Sequence, residues 1–496
     1  MDSTVAVAVP SDLAPFVQQL VTHVLAFRDS ASVGPTVPDF AEGEKELMRL
    51  TAALESKSLG SMLAALDPTA PRIEIGGVVY RRLNQKAECT YCALRAEVIV
   101  DRHLYRKEGV RNGPTVVPLD LRAGIVDARY TPAAAVAFAR LAQAMPSREA
   151  EATCESLHVL PYSRSEHFRM GVEMGSRWDD LRDKVESSLV TEMKLDPAAR
   201  AVSVAVDRVS MAMAEPRPPT PKDIENGVKN PVSVELRMAF SAVWTLYDPD
   251  GMPLQAVRYA HVPTGGAQDM ERCLARDLGM LLARLPDLRL VTLADGAPEM
   301  QSILDRVVVG RKVVAQLVDF WHVAEHLGEA IVSVGRFKDD LLTDWKIDLL
   351  ERDDAIDDIF DILRGWSMEY MLQPIEKMPK GLYDALTYLD NNRDRMRYAT
   401  VHKAGLPVGS GTVEATGKTI VEVRMKRSGS RWVERERGPQ ALLGLRALAT
   451  SEPKRWGAAA AHILASYKKH VTMLPASSGR VKRPLGDTNV PPTASV

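Results

Sequence analysis

The sequence predicts an α/β protein: a mixed sheet interrupted by an all-helical insertion, behind a mainly helical N-terminal region that holds a small β segment. Three observations predict it. Apolar residues recur at helical spacing before residue 70 and from Thr131 onward. From Ala201 to Phe320, short β-branched runs alternate with amphipathic stretches. From Val323 to about Thr400 the pattern is helical throughout and strands do not resume.

Taken in order, Leu13, Phe16, Val17, Leu20, Val24 and Leu25 follow the i, i+3, i+4 rule of a first helix, and a second covers 41–66. Arg72 to Arg82 and Glu97 to Tyr105 read as strands, rich in residues such as Val78, Val79, Val98 and Ile99. Thr131-Pro132 starts a helix, Pro146-Ser147 breaks and recaps it, and Ser163 to Glu166 is a capping box for a third. Three short helices with tight turns are compatible with a helix-turn-helix unit that sets Arg164, His167 and Arg169 toward a groove, or with a plain bundle. Val202, Val204 and Val206 then alternate on a strand that reaches Asp207. A hairpin follows through Asp248-Pro-Asp-Gly251, then a helix, a strand ending at Asp295-Gly296, a short helix, and the strand Val313 to Phe320. The order β-β-β-α-β-α-β is that of a ribonuclease-H-like sheet, in which the first and fourth strands are neighbours. Asp207 and Asp295 would then sit side by side. Gly409-Ser410-Gly411 opens a further helix that carries Glu414.

The expected domains are 1–72, helical; 73–130, a small β segment; 131–200, helical; 201–330, the first part of the core; 331–405, the helical insertion; 406–470, completion of the core; and 471–496, a disordered tail. The 496 residues suit about three domains at ~150 residues each. With 46% hydrophobic and 26% charged residues, disordered, collagenous and coiled-coil chains are excluded. No apolar run approaches the roughly 18 residues of a membrane span, and the N-terminus carries no basic segment ahead of an apolar one. Four cysteines make no disulfide framework, so a cytoplasmic protein is expected. Cys89 and Cys92 have zinc-knuckle spacing but lack a second ligand pair nearby.

The net charge of −2 is unevenly spread. Gly335 to Glu376 holds twelve acids against five bases; Ala415 to Leu485 holds fifteen bases against four acids. That is either a polyanion-facing surface or two solvated faces that pair with each other. Three carboxylates stand out: Asp207 on the first strand, Asp295 ending a buried one, and Glu414 in the first turn of its helix. Ionised groups are costly to bury unpaired, and converging oxygen donors suit two Mg²⁺ or Mn²⁺ ions in phosphoryl transfer. Each acid alone could equally be a cap or a surface group.

The segments Leu293-Ala-Asp-Gly-Ala297, Leu317-Val-Asp-Phe-Trp-His322 with Glu325-His326-Leu327, and Gly405-Leu-Pro-Val-Gly-Ser-Gly-Thr-Val-Glu414 resemble bacterial insertion-sequence transposases of the DDE type. Arg424-Met-Lys-Arg-Ser-Gly-Ser-Arg-Trp432 and Ala441 to Leu448 extend the resemblance, which is nearest to the Kra group, related to Mutator-like transposases. It spans about 201–456 and is weaker over 73–190, around Leu104-Tyr-Arg106, Val117 to Asp120 and Thr131-Pro132. It implies a ribonuclease-H-like catalytic core with metal-dependent cleavage at element ends and strand transfer into target DNA. Asp207, Asp295 and Glu414 would be the catalytic metal ligands, and the protein at least a dimer on double-stranded DNA. The alternatives are a catalytically inactive transposase-derived DNA-binding protein and a stand-alone nuclease. Asp319 and His322 match the family's C/DxxH motif, either as catalytic support or, preferably, as a hydrogen-bonded structural pair. Trp345 and Trp366 could stack on DNA bases or, preferably, anchor a helical core. Lys418, Arg424, Lys426, Arg427 and Arg431 are expected to hold backbone phosphates.

Overall fold

The computed structural model describes residues 7–476 except 34–38, 264–266, 337, 371–377, 410, 428–429, 431, 434–436 and 452. The chain forms two compact units, one of residues 1–132 and 466–496, the other of 133–465. No described helix is long and apolar enough to cross a membrane.

The first unit contains α1 (Ala14–Val33), α2 (Phe40–Leu66), β1 (Arg72–Ile75), β2 (Val78–Cys92), β3 (Glu97–Lys107), β4 (Thr115–Val116) and α3 (Pro118–Ala123). Asp39 caps α2 by accepting from the amide of Ala41. Gly76 and Gly77, with φ of +56° and +79°, make the two-residue turn that splits the expected strand 72–82 into a hairpin. The expected tail begins with ordered chain: Thr472–Leu474 pairs antiparallel with β1 at the sheet edge. Residues from 477 onward lie outside the described ones. Tyr91, Val98, Val100 and Leu119 form the core with Leu63 of α2. Cys89 and Cys92 are free thiols. Their odd spacing on β2 points them to opposite faces, which disposes of the zinc knuckle.

The second unit runs α4 (Pro132–Ala144), α5 (Ser147–Ser156), α6 (Arg164–Glu192), β5 (Ala201–Pro216), α7 (Pro221–Glu225), β6 (Val232–Tyr247), β7 (Pro253–His261), α8 (Gln268–Arg284), β8 (Arg289–Ala294), α9 (Pro298–Val307) and β9 (Val313–Val318). There follow α10 (Phe320–Ser333), α11 (Lys338–Glu351), α12 (Ala355–Met368), α13 (Lys380–Asn392), α14 (Tyr398–Lys403), α15 (Gly411–Thr416), α16 (Val423–Met425), β10 (Trp432–Val433), α17 (Gly438–Thr450) and α18 (Pro453–Ala465). The sheet order is β7-β6-β5-β8-β9, and β10 pairs with the far end of β5. The first three strands are antiparallel; β5, β8 and β9 are parallel. The first and fourth strands are therefore neighbours, as expected.

Alternation sends the two faces of β5 into two cores. Val202, Val204 and Val206 pack with α8 and α9. Ala201 and Ala205 face the other way, with Val291, Leu293 and Leu317, under the helices from α10 to α14. The helical insertion is thus one of the sheet's two covers. Trp345 is 4% exposed in that core, and its ring stacks 5.8 Å from that of Trp366, which Arg336 covers at 4.5 Å. The stacking partner of both tryptophans is each other, which agrees with the preferred reading of a helical core and corrects the alternative in which they present rings to DNA.

The third helix is corrected too. It is no short recognition helix but α6, 29 residues long, burying Met170, Met174, Trp178, Arg182, Glu186 and Leu189 along one face. At Gly171 a side chain would meet Ala142 at 2.3 Å, and at Gly175 the carbonyl of Ala441 at 2.4 Å. The helix is a strut against α4 and α17. His167 is fully buried, edge-on to Phe138 at 4.7 Å, and cannot reach a groove. Arg164 and Arg169 stay exposed on the first two turns.

Two predictions follow from this packing. Trp345→Ala should cost roughly 3–5 kcal/mol in urea unfolding, because a large ring leaves a filled core. Burial holds the His167 imidazole below its usual pKa. Its contribution to stability is present above about pH 6.5 and lost as pH falls. Melting curves from about pH 7.5 to 5.5 should therefore fall less for His167→Phe than for the natural protein.

Candidate active site

The geometry of the site starts with strand register. Ala205 of β5 lies beside Leu293 of β8, which lies beside Leu317 of β9. Two residues further on, each parallel strand reaches an aspartate: Asp207, Asp295 and Asp319. Side chains two apart share a face, so all three stand in one row at the C-terminal ends of the strands, on the side covered by α10 to α14. Ala201 to Val206 are buried because strands flank β5 and helices cover both faces. β8 stops pairing at Ala205, so Asp207 is where that cover runs out.

The three carboxylates do different local work. An Asp207 oxygen accepts from the Arg208 amide at 2.6 Å, and an Asp295 oxygen from the Ala297 amide at 2.9 Å, which sets the turn into α9. Asp319 is 2% exposed and caps α10, accepting from the amides of Trp321 at 2.6 Å and His322 at 3.3 Å. The preferred structural reading of the Asp319–His322 pair fits this cap, though the Asp319 contact is to the His322 backbone. The His322 ring lies 3.8 Å from Glu325. Among the described residues neither Asp207 nor Asp295 makes an ion pair. Burial raises the Asp207 carboxyl above its usual pKa; the charges of Asp295 and Glu414 push it further up, while the Arg208 amide and His322 oppose.

Glu414 reaches this neighbourhood on α15. The helix continues through a π-helical stretch, Gly417–Glu422, a local widening frequent at functional sites. Gly417 is buried against β5: a methyl there would lie 2.9 Å from Val209 and 3.4 Å from an Asp207 carboxylate oxygen. Only glycine lets the helix approach so closely. Arg258 of β7 fixes the same helix, donating to the Thr416 hydroxyl at 3.0 Å and to the Thr450 carbonyl. Glu414 itself is exposed and pairs with Lys418 at 2.5 Å. Among the described residues no three His, Cys, Asp or Glu side chains are gathered closely enough to hold a metal ion.

On the other flank, α13 clamps the Asp295-Gly296 turn. The Tyr388 hydroxyl donates to the Asp295 carbonyl at 2.8 Å. Gly296 has φ +91°, and a side chain there would meet the Tyr388 ring at 2.9 Å. A cavity of about 750 Å³ opens beside Asp295, lined by Gln301, His326, Tyr383, Tyr388, Asn391 and Arg395. Gly417, Arg258 and Tyr388 were not singled out from sequence; only the sheet brings them to the aspartates.

The predicted basic contacts divide. Arg424 is buried, donates to the Ala142 carbonyl at 2.8 Å and lies over Trp432. Burial pushes its pKa down to about 10, so its role as a phosphate contact is corrected to an internal tie. Lys418 and Lys426 pair with Glu414 and Glu422, and Arg427 with Glu149 at 3.4 Å. These exposed pairs are weak and exchangeable. Arg431 lies outside the described residues.

No protein-family model matches the chain. No curated protein matches it. Among solved structures, the Drosophila P element transposase strand transfer complex is similar over 67% of this chain and 95% of that one, at 12% identity and a TM-score of 0.33.

Gly417→Ala is expected to push α15 off β5. It should lower the melting temperature by several degrees, as overpacking costs about 1–3 kcal/mol, and the crystal structure of the variant should show Glu414 displaced from Asp207.

Proposed function

We propose that this chain is a DDE-type DNA transposase whose second unit is a ribonuclease-H-like core of the kind its motifs resemble in insertion-sequence enzymes. The observation that carries the reading is the row of strand-end carboxylates. Asp207 and Asp295 share one level of neighbouring parallel strands, and the helix of Glu414 is seated on Asp207 through Gly417.

All three groups are carboxylates, the donor chemistry of hard divalent cations, and Asp207 feels the charge of the other two, although as they stand the three are not gathered closely enough to hold an ion. Asp207, Asp295 and Glu414 would hold two Mg²⁺ or Mn²⁺ ions, which when bound activate water and stabilise the leaving oxygen. The protein's own residues do the rest. The Ala297 amide and the Tyr388 hydroxyl fix the Asp295 turn. His322 favours the ionised form of Asp207. Lys418, Lys426 and Arg427 exchange their weak carboxylate partners for backbone phosphates of double-stranded DNA. Recognition of terminal repeats is assigned to the helices from α4 to the exposed start of α6, with Arg164 and Arg169. Synapsis of two ends requires at least a dimer on DNA. The place of work is the bacterial cytoplasm, at the nucleoid.

The test is cleavage of labelled DNA carrying the element's ends, with Mg²⁺. Asp295→Asn and Glu414→Gln should each lose at least about 10³-fold in rate, as several kcal/mol of transition-state stabilisation is removed, while still binding the ends. Equal cleavage by Glu414→Gln would remove the third carboxylate from the site. Binding without cleavage by the natural protein would favour an inactive DNA-binding descendant, and cleavage without end preference a stand-alone nuclease.

A further inference from the structure

The first unit carries a charge arrangement that its own fold leaves unexplained. Across its sheet, Arg72 of β1 is directly opposite Arg81 of β2, and Arg81 is directly opposite Arg106 of β3. Directly paired residues share a face, so three guanidinium groups stand side by side across three strands. Two interstrand spacings separate the outer pair, about 9.5 Å. The opposite face holds Ile73, Tyr80 and Tyr105, the small core of this part of the unit. At this end of the sheet the arginine row therefore lies opposite that core, while further along β3 the same face carries Val100 and Val98, which pack with Leu63 of α2.

Like charges directly opposite each other destabilise a sheet, and the compensation within the row is partial. Arg72 pairs with Glu108 at 2.7 Å, and Glu74 shares its face two residues along β1. Arg106 donates to the carbonyl of Arg111, itself an exposed cation, while Arg72 and Arg106 are half-buried. Arg81 is exposed. The Nε atoms of Arg72 and of Arg106 are buried without a hydrogen-bond partner. Planar, fixed donor forks in a row are suited to oxyanions repeated along a chain.

We infer that the arginine row at the Arg72-Arg81-Arg106 end of the β1-β2-β3 sheet binds the phosphodiester backbone of duplex DNA. The choice of duplex DNA among polyanions rests on the function proposed above; the arginine row does not. Such contacts position a duplex without reading its sequence, because phosphates are common to all sequences. The sheet would therefore add grip, and the helices of the second unit would supply selectivity.

The experiment is fluorescence anisotropy of the full chain with a random-sequence duplex, without divalent metal, across a salt series. The variants are Arg81→Gln, the double variant Arg81→Gln/Arg106→Gln, and Arg81→Lys. The double variant should bind at least about tenfold more weakly at low salt, and the slope of log affinity against log salt should shrink by about 1.8, for two lost phosphate contacts. Arg81→Lys should keep most of the affinity. Without DNA, Arg81→Gln should melt no lower than the natural protein, since it relieves repulsion in the row. Unchanged affinity and slope in a folded double variant would overturn the inference and leave the proposed catalysis standing. A lowered melting temperature with unchanged binding would make the row structural and overturn it as well. Tighter binding of single-stranded RNA than of duplex DNA would overturn the choice of ligand. A natural protein that binds no duplex at all would overturn this inference and the transposase reading together.

Discussion

The parallel pairing of β5 with β8 is the constraint on which the second unit depends. Side chains along a strand have a period of two, so a slip of one residue between these strands would turn Asp295 away from Asp207 and into the opposite core. Burial on both faces forbids the slip. Val202, Val204 and Val206 are committed to the α8–α9 side, and Val291 and Leu293 to the α10–α14 side. The pair of aspartates is thus held by apolar residues that never touch them. Asp319 extends the row by the same register, but as a helix cap it serves α10, whose first turn brings His322 toward Asp207.

Bringing Glu414 back from beyond the helical insertion needs a second set of constraints, and these are close backbone contacts. The returning chain is pinned where the Phe320 amide donates to the Val408 carbonyl. Gly405, at φ +66°, lies so near the Pro249 carbonyl that a methyl would sit 2.4 Å from it. Gly417 repeats the device against β5. Two glycines therefore set the path of one segment for different reasons: one for a left-handed turn and a close approach, the other for approach alone.

Much of this was legible in the sequence because its signals are local and periodic. Alternating Val202, Val204 and Val206, the Asp295-Gly296 strand end, and the glycine-rich entry to the Glu414 helix all announce themselves within a few residues. What could not be read is what a charged or aromatic side chain meets across the chain. Arg424 sits in a run of bases and looks solvated, yet its guanidinium ends at a carbonyl 282 positions away in sequence. His167 looks like a polar residue on a helix start, yet it faces Phe138 inside the unit. Trp345 and Trp366 show only that a helix holds large rings; their mutual stacking follows from how α11 and α12 meet. The length of α6 was also hidden, because its buried face carries Arg182 and Glu186 where an apolar pattern would be sought.

That polar stretch of α6 has its own logic. Glu186 is 2% exposed and faces three guanidinium groups, those of Arg182 at 3.1 Å, Arg276 at 2.9 Å and Arg455 at 3.4 Å. Burial works against its ionisation, but the surrounding arginines hold the carboxyl below its usual pKa. Arg276 and Arg455 also reach Asp277, which is fully buried and accepts from the Tyr259 hydroxyl at 2.8 Å. A complete buried network adds little stability over an apolar core of the same shape, whereas an incomplete one costs about 3–5 kcal/mol for the charge left alone. The asymmetry makes α6, α8, α18 and β7 an all-or-none set. The helix that begins with the exposed Arg164 and Arg169 cannot pack on this sheet in another rotation without stranding a charge. The polar residues that hid α6 from a pattern-based reading are therefore the ones that fix its rotation about its own axis.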